Sequence, residues 1–174
     1  DGMHEHPTQA LLDCITLRSY YKNKGEELKG KTIAIVGDVR HSRVARSNIL
    51  AHQLLGNKVH VVGPPTLVPP DFGHEEAYGS SVKVFSNLRE GIEGADVVMC
   101  LRLQKERQTH NFLPSLEEYT REYGINERRL REWAPNSVIL HPGPINRGIE
   151  VSSDVVDGHR SLVSQQVNFG VAAR

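Results

Sequence analysis

Five short apolar runs, separated by stretches of helical period, restrict what this chain can fold into more than any other feature of its sequence. They are Thr32–Val36, Lys58–Val62, Val82–Phe85, Asp96–Leu103 and Ser137–Leu140. Each has strand length, and the stretch Val97 to Leu101 is apolar without interruption, the mark of a strand covered on both faces. The segments between them read as helices or helical turns. One opens at His6-Pro7-Thr8-Gln9, where Pro is favoured at the first helical position, and runs through Leu11, Leu12, Ile15, Leu17, Tyr20 and Tyr21. A second takes Ser42 as its N-cap and Gly56 as its C-cap, with Val44, Ile49, Leu50, Leu54 and Leu55 between. Shorter pieces are expected near His74–Tyr78, Leu88–Ile92, Ser115–Tyr119 and Asn126–Arg131, and a last helix starts near Ser161–Val163 and still runs at the chain end. Strands alternating with helices predict an α/β fold: a doubly wound parallel sheet of about five strands, helices on both faces and right-handed crossovers.

The chemistry collects where the strands stop. The first ends at Gly37-Asp38-Val39-Arg40-His41 with Arg43 close behind. The fourth ends in Arg102, Gln104, Lys105 and Arg107, and the fifth in His141-Pro142-Gly143-Pro144. In a parallel sheet these ends share one edge, and ligands bind beyond it. Several cations beside helix N-termini suit a small multi-anion, and a guanidinium fork matches carboxylate or phosphate better than a lysine does. The plain alternative is a set of solvated loops after strands. Among the arginines near the first strand, Arg40 precedes the cap and Arg46 lies one turn further along the helix. Arg43, in the first turn, opposes the helix dipole, which makes a purely structural role unattractive.

Other classes fit poorly. With formal net charge zero, no whole-chain field recruits nucleic acid. No apolar run approaches the ~18 residues of a membrane span. Gly37-Asp38 is not followed by a dinucleotide fingerprint, and there is no P-loop and no G-x-S-x-G elbow. His4-Glu5-His6 offers donors to a metal, but no third ligand is evident. Cys14 and Cys100 stand far apart in apolar surroundings and read as buried free thiols in a reducing cytoplasm. A start at Asp-Gly-Met-His and a stop inside a helical pattern suggest one domain of a longer protein.

Four blocks, in order, resemble the aspartate carbamoyltransferases: Glu5-His-Pro-Thr-Gln-Ala-Leu-Leu-Asp13; Gly37-Asp38 followed by Ser42-Arg-Val-Ala-Arg-Ser47; Arg102-Leu-Gln-Lys-Glu-Arg107; and His141-Pro-Gly-Pro-Ile-Asn-Arg147. The first marks the aspartate/ornithine carbamoyltransferase superfamily. The third points to aspartate, since an ornithine-using relative is expected to carry a Ser-Met-Gly segment near that position. The resemblance implies a linking helix over residues 1–25 and an aspartate-binding domain over 26–174, one half of a two-domain catalytic chain.

It also implies roles. His6 and Gln9 match the pair that holds the carbonyl and amide end of carbamoyl phosphate; the alternative is a plain helix start with Gln9 reaching back as in a capping box. Arg43 matches the grip on the aspartate α-carboxylate, and Arg102 with Gln104 the receptor of its side-chain carboxylate. Pro142 and Gly143 match a turn whose backbone carbonyls accept from the carbamoyl NH2 and the attacking amine, although many relatives carry a bulkier residue than Gly143. The implied reaction needs no metal or organic cofactor. The implied partners are carbamoyl phosphate, L-aspartate, an N-terminal carbamoyl-phosphate domain and further copies in a homotrimer, with room for regulatory or other pyrimidine-pathway subunits. The phosphate-gripping Ser-Thr-Arg-Thr loop of the family is not in these residues. An inactive homologous domain with a structural or allosteric role, and an ornithine-type transferase, stay open as alternatives.

Overall fold

The computed structural model describes residues 4–73, 79–103 and 115–173. Its elements in chain order are α1 (Pro7–Asn23), β1 (Thr32–Val36), α2 (Arg43–Leu54), β2 (Lys58–Val62), a 3-10 turn (Pro70–Gly73), β3 (Val82–Phe85), α3 (Leu88–Ile92), β4 (Val97–Cys100), α4 (Leu116–Tyr123), α5 (Glu127–Trp133), β5 (Val138–Leu140), α6 (Ser153–Val156) and α7 (Val163–Ala173). The five strands pair in parallel in the order β3-β2-β1-β4-β5. The doubly wound parallel sheet expected from the sequence is the observed architecture.

Period-two alternation sorts the strand residues onto two cores. Ile33 and Ile35 of β1, Val59 and Val61 of β2, and Met99 of β4 face one side, with Leu17 and Tyr21 of α1 and Ala45 and Ile49 of α2. Ala34 and Val36, Val62, Val98 and Cys100 face the other, against Leu88 and Ile92 of α3, Leu130 of α5, and Val155 and Val156 of α6. Strand β4 and edge strand β5 are buried along their whole length, whereas the opposite edge strand, β3, is buried only at its start. That is the pattern of a sheet covered on both faces.

Three expectations differ in detail. The fourth strand was expected to reach Leu103 but ends at Cys100. Leu101 still donates its N–H to the Val36 carbonyl at 2.8 Å, but β1 turns away at Gly37 and the ladder has no further partner. Leu101 and Leu103 are apolar because both plug the interior just past the strand. The loop expected after His141 holds one helical turn, α6, too short to show a period. Gly56, with φ at 75°, follows the cap residue Leu55, the place where a left-handed residue ends a helix. The helix expected near His74–Tyr78 lies outside the described residues.

Candidate active site

The strand order reverses between β1 and β4: the chain leaves β1 toward β2 on one side and β4 toward β5 on the other. Such a switch point opens a crevice beyond the carboxyl ends of the strands. A cleft of about 200 Å³ lies there, lined by His6, Gln9, Ser42, Arg43, Leu101, Arg102, Pro142, Gly143 and their neighbours. Six of the seven residues singled out in the sequence, His6, Gln9, Arg43, Arg102, Pro142 and Gly143, therefore share one cavity. Gln104 lies outside the described residues, as do Lys105 and Arg107.

Each lining residue is held by its own element. His6 is the N-cap of α1, and its Nδ1 accepts from the Gln9 N–H at 3.2 Å. An imidazole that accepts through Nδ1 carries its proton on Nε2, so His6 is a hydrogen-bond donor through that nitrogen. The helix-start role and a donor role thus use different ring nitrogens and coexist. The His6 backbone N–H donates to Ser47 Oγ at 2.9 Å, which fastens the start of α1 to α2. Gln9 does not reach back to complete a capping box. Its Nε2 donates forward to Asp13 Oδ1 at 2.9 Å, one turn along α1.

Arg43 is the first residue of α2, behind a Ser42 cap whose Oγ accepts from the Ala45 N–H at 3.1 Å. Its rivals are turned elsewhere. Arg40 donates from Nη1 to the Thr66 carbonyl at 3.3 Å and Arg46 from Nη2 to the Arg40 carbonyl at 3.2 Å; neither lines the cleft. Asp38, fully buried after β1, accepts from the His41 backbone N–H and from His41 Nδ1 at 2.8 Å, and this closes the turn that leads to Arg43. Arg102, just past the end of β4, stands between buried Leu101 and Leu103 and is itself half-buried on the wall of the cleft.

The third wall is the turn after β5. His141 is buried beneath it, not exposed in it. The Gly143 N–H donates to His141 Nδ1 at 2.9 Å, and the other ring nitrogen meets Glu150 Oε1 at 3.2 Å. Glu150 Oε1 also accepts from the Asn146 N–H at 2.6 Å. Gly143 adopts φ of 69°, a left-handed conformation natural to glycine, and precedes a cis bond to Pro144.

Asp13, at the end of the first family block, has no role in the sequence reading. It is 0 % exposed and its partners are three side-chain amides: Gln9 and Gln166 on Oδ1, Asn48 on Oδ2. Burial pushes its carboxyl up to about 6, and the hydrogen bonds from Gln166, Asn48 and Gln9 offset that only in part. The i, i+4 spacing of Gln9 and Asp13 was the one local signal of this cluster. Asn48 and Gln166 had none.

Comparison with known proteins is consistent over the full length. The sequence model described as "Aspartate/ornithine carbamoyltransferase, Asp/Orn binding domain" matches residues 29–174. The chain is 53% identical over all 174 residues to the aspartate carbamoyltransferase catalytic subunit of Methylorubrum populi and 52% identical to that of Xanthobacter autotrophicus, covering 52% of each. It thus spans about half the length of the curated relatives it matches. Among solved structures, aspartate transcarbamoylase from Trypanosoma cruzi in complex with phosphate superposes with a TM-score of 0.78 at 28% identity, over 99% of this chain and 55% of that one. Ornithine carbamoyltransferase from Gloeobacter violaceus does so with a TM-score of 0.80 at 25% identity, over 98% and 56%. The chain belongs to the aspartate/ornithine carbamoyltransferase family, within its Asp/Orn-binding domain.

Proposed function

We propose that this chain supplies the aspartate-binding half of an aspartate carbamoyltransferase, which transfers the carbamoyl group of carbamoyl phosphate to the amine of L-aspartate. The observation that carries this reading is the shared cleft: two arginines from different strand exits, a histidine donor, a glutamine amide and a Pro-Gly turn on one 200 Å³ cavity. Relatives above 50% identity are named for aspartate, while the ornithine enzymes enter at about 25%, so aspartate is the favoured acceptor. Residues 1–25 then form the linking helix and 26–174 the substrate domain.

In this mechanism Arg43 holds the α-carboxylate and Arg102, with Gln104, the side-chain carboxylate. His6 Nε2–H donates to the carbamoyl oxygen as negative charge grows on it. Gln9 and the Pro142–Gly143 carbonyls accept from the carbamoyl NH2 and the incoming amine. The amine nitrogen bonds to the carbonyl carbon, the bond from that carbon to the phosphate oxygen breaks, and the phosphate takes the amine proton. Rate enhancement comes from positioning and from electrostatics in a partly dry cleft. The phosphate grip belongs to a first domain, and a neighbouring subunit of a homotrimer completes the site. Cytoplasmic pyrimidine biosynthesis is the setting this reading implies. Cys14 and Cys100 are free thiols, and among the described residues no helix is long and apolar enough to cross a membrane.

In the full-length protein, Arg43→Ala and Arg102→Ala should each raise the aspartate KM about 30- to 1,000-fold, the equivalent of ~2–4 kcal/mol of lost charge pairing. A phosphonate–succinate bisubstrate mimic should protect the wild type against urea, and ornithine should not. An unchanged KM in both variants, or no protection by the mimic, refutes the assignment.

A further inference from the structure

Among the described residues Asp13 is a buried carboxylate without a cation beside it: its partners are three neutral amides. Taking a carboxylate out of water costs stability that neutral donors recover only in part. A side chain whose only task was to tie helices together would do this better without charge. The three amides come from separate elements, and those elements also build the cleft. Gln9 is on α1. Asn48 is on α2, whose first residue is Arg43. Gln166 is on α7, and its Oε1 accepts from the His141 N–H at 3.0 Å below the Pro142–Gly143 turn.

A carboxamide is nearly symmetrical in shape, so only its hydrogen bonds decide which end faces which way. An ionised carboxylate is an acceptor alone. It can take only the Nε2 end of Gln9, at 2.9 Å, and only the Nε2 end of Gln166, at 2.7 Å. The oxygen of Gln9 is then the end left for the cleft that Gln9 lines. The oxygen of Gln166 is turned to the β5 exit. There His141 continues the sequence of fixed directions by accepting from the Gly143 N–H at 2.9 Å.

We infer that Asp13 is the positioning residue of this site: its buried carboxylate fixes the Gln9 amide with oxygen toward the cleft and, through Gln166 and His141, sets the turn on the opposite wall. This inference rests on the carbamoyl-transfer reading and deepens it. A carbamoyl group offers one oxygen acceptor and an NH2 donor side by side. His6 Nε2–H and Gln9 oxygen are the matching donor and acceptor, provided that Gln9 does not turn over. An amide at position 13 removes that proviso. Its NH2 end can face Gln9, which then turns its own oxygen inward and presents NH2 to NH2.

The test is made in the full-length protein. Asp13→Asn should weaken carbamoyl phosphate binding at least about tenfold and lower kcat, while the affinity for inorganic phosphate stays within error and the Tm at pH 8 does not fall. Adding Asn48→Asp should recover most of the loss. The carboxylate on α2 engages the NH2 end of the introduced amide, so that its oxygen faces Gln9 and Gln166 again. In a Gln9→Ala background, Asp13→Asn should cost clearly less than it does in the wild type, because the part of its effect that runs through Gln9 is already gone and only the part through Gln166 is left. Unchanged carbamoyl phosphate binding, losses that add in full, or a fall shared by phosphate affinity and Tm each overturn the inference. If the variant does not fold, the wild type decides. Its Gln9 side-chain amide protons should be widely split in the NMR spectrum, one shifted downfield by the carboxylate; a pair at free-glutamine positions overturns the inference. A wild type that binds no carbamoyl phosphate refutes the functional reading instead, and the same amide signals still report on Asp13.

Discussion

Two buried titratable groups in this fold oppose each other, and removing one should expose the other. Burial raises the Asp13 carboxyl from 3.8 to about 6 and lowers the His52 imidazole from 6.5 to about 4. His52 sits in α2 with Nδ1 accepting from Asn57 Nδ2 at 3.1 Å, and among the described residues its Nε2 has no hydrogen-bond partner. Each shift is worth about 3 kcal/mol when complete. The signs are opposite. Folded Asp13 takes up a proton before the unfolded chain does, so its contribution is fully present below pH 3.8 and is lost as pH rises through about 6. Folded His52 refuses a proton that the unfolded chain accepts, so its contribution is present above pH 6.5 and is lost as pH falls through about 4. Between pH 7.5 and 4.5 the wild type gains about 2 kcal/mol from Asp13 and loses about 2.5 kcal/mol at His52, a near cancellation. Asp13→Asn removes only the gain. In urea unfolding, the variant should lose about 2 kcal/mol more than the wild type over that pH change, a midpoint lower by roughly 1 M at an m-value near 2 kcal/mol/M. His52→Gln should do the reverse and lose less than the wild type. Comparing the change with pH, not the absolute stabilities, cancels every packing effect that is the same at both pH values. Equal pH shifts in wild type and Asp13→Asn would refute the claim that the carboxylate is held at a cost.

Two further perturbations probe the walls of the cleft. Gly37→Ala places a Cβ 3.0 Å from the Leu101 carbonyl oxygen and 3.2 Å from Tyr119 Oη at φ of 130°; it should cost about 1–3 kcal/mol in urea unfolding and raise the aspartate KM through the separation of Arg43 from Arg102, and a neutral result would show that the β1 and β4 exits are not tightly apposed. Ser42→Ala removes the cap bonded to Ala45 and should cost about 1 kcal/mol by urea midpoint, with a rise of a few fold in aspartate KM because Arg43 is the next residue; stability lost without any change in KM would separate the cap from the binding function.

What the sequence made legible follows from which forces are local. Ile33 to Val36 and Val97 to Cys100 read as strands because a sheet buried on both faces leaves no polar position along them. Ser42 read as a cap because the orphan N–H of the next turn lies within reach of its own side chain. The overrun of the fourth strand to Leu103 has the same origin: apolar residues announce burial, and hydrogen-bond pairing, which is non-local, decides where the ladder stops. Arg43 could be preferred over Arg40 and Arg46 by its place in the helix, but that those two donate to backbone carbonyls required coordinates. Asp13 and Gln166 are 153 positions apart, so nothing in either neighbourhood foretells their contact. The roles of His6 and Gln9 were suggested by family resemblance. The arrangement of His6, with Nδ1 accepting from the helix and Nε2 therefore the donor nitrogen, was visible only in the fold.

The order of the strands explains why the cleft lies where it does. After β1 the chain passes to α2, whose Ala45 and Ile49 pack on one face of the sheet. After β4 it reaches Ile125 and Leu130, which pack on the opposite face. Two adjacent strands whose exits part to opposite faces leave a gap between them, which the buried apolar side chains of the two crossovers do not fill. Arg43 enters that gap from the first exit and Arg102 from the second. The turn after β5 closes the far side, and α1 brings His6 and Gln9 across from the near side. Apolar burial sets the two faces, the reversal of strand order creates the opening, and the polar residues that cannot be buried on either face are the ones left to line it. An open crevice at that point is therefore a consequence of the topology before it is a property of any one arginine. Behind its lining, the buried carboxylate of Asp13, on α1, accepts hydrogen bonds from Gln9 of the same helix, Asn48 of α2 and Gln166 of α7.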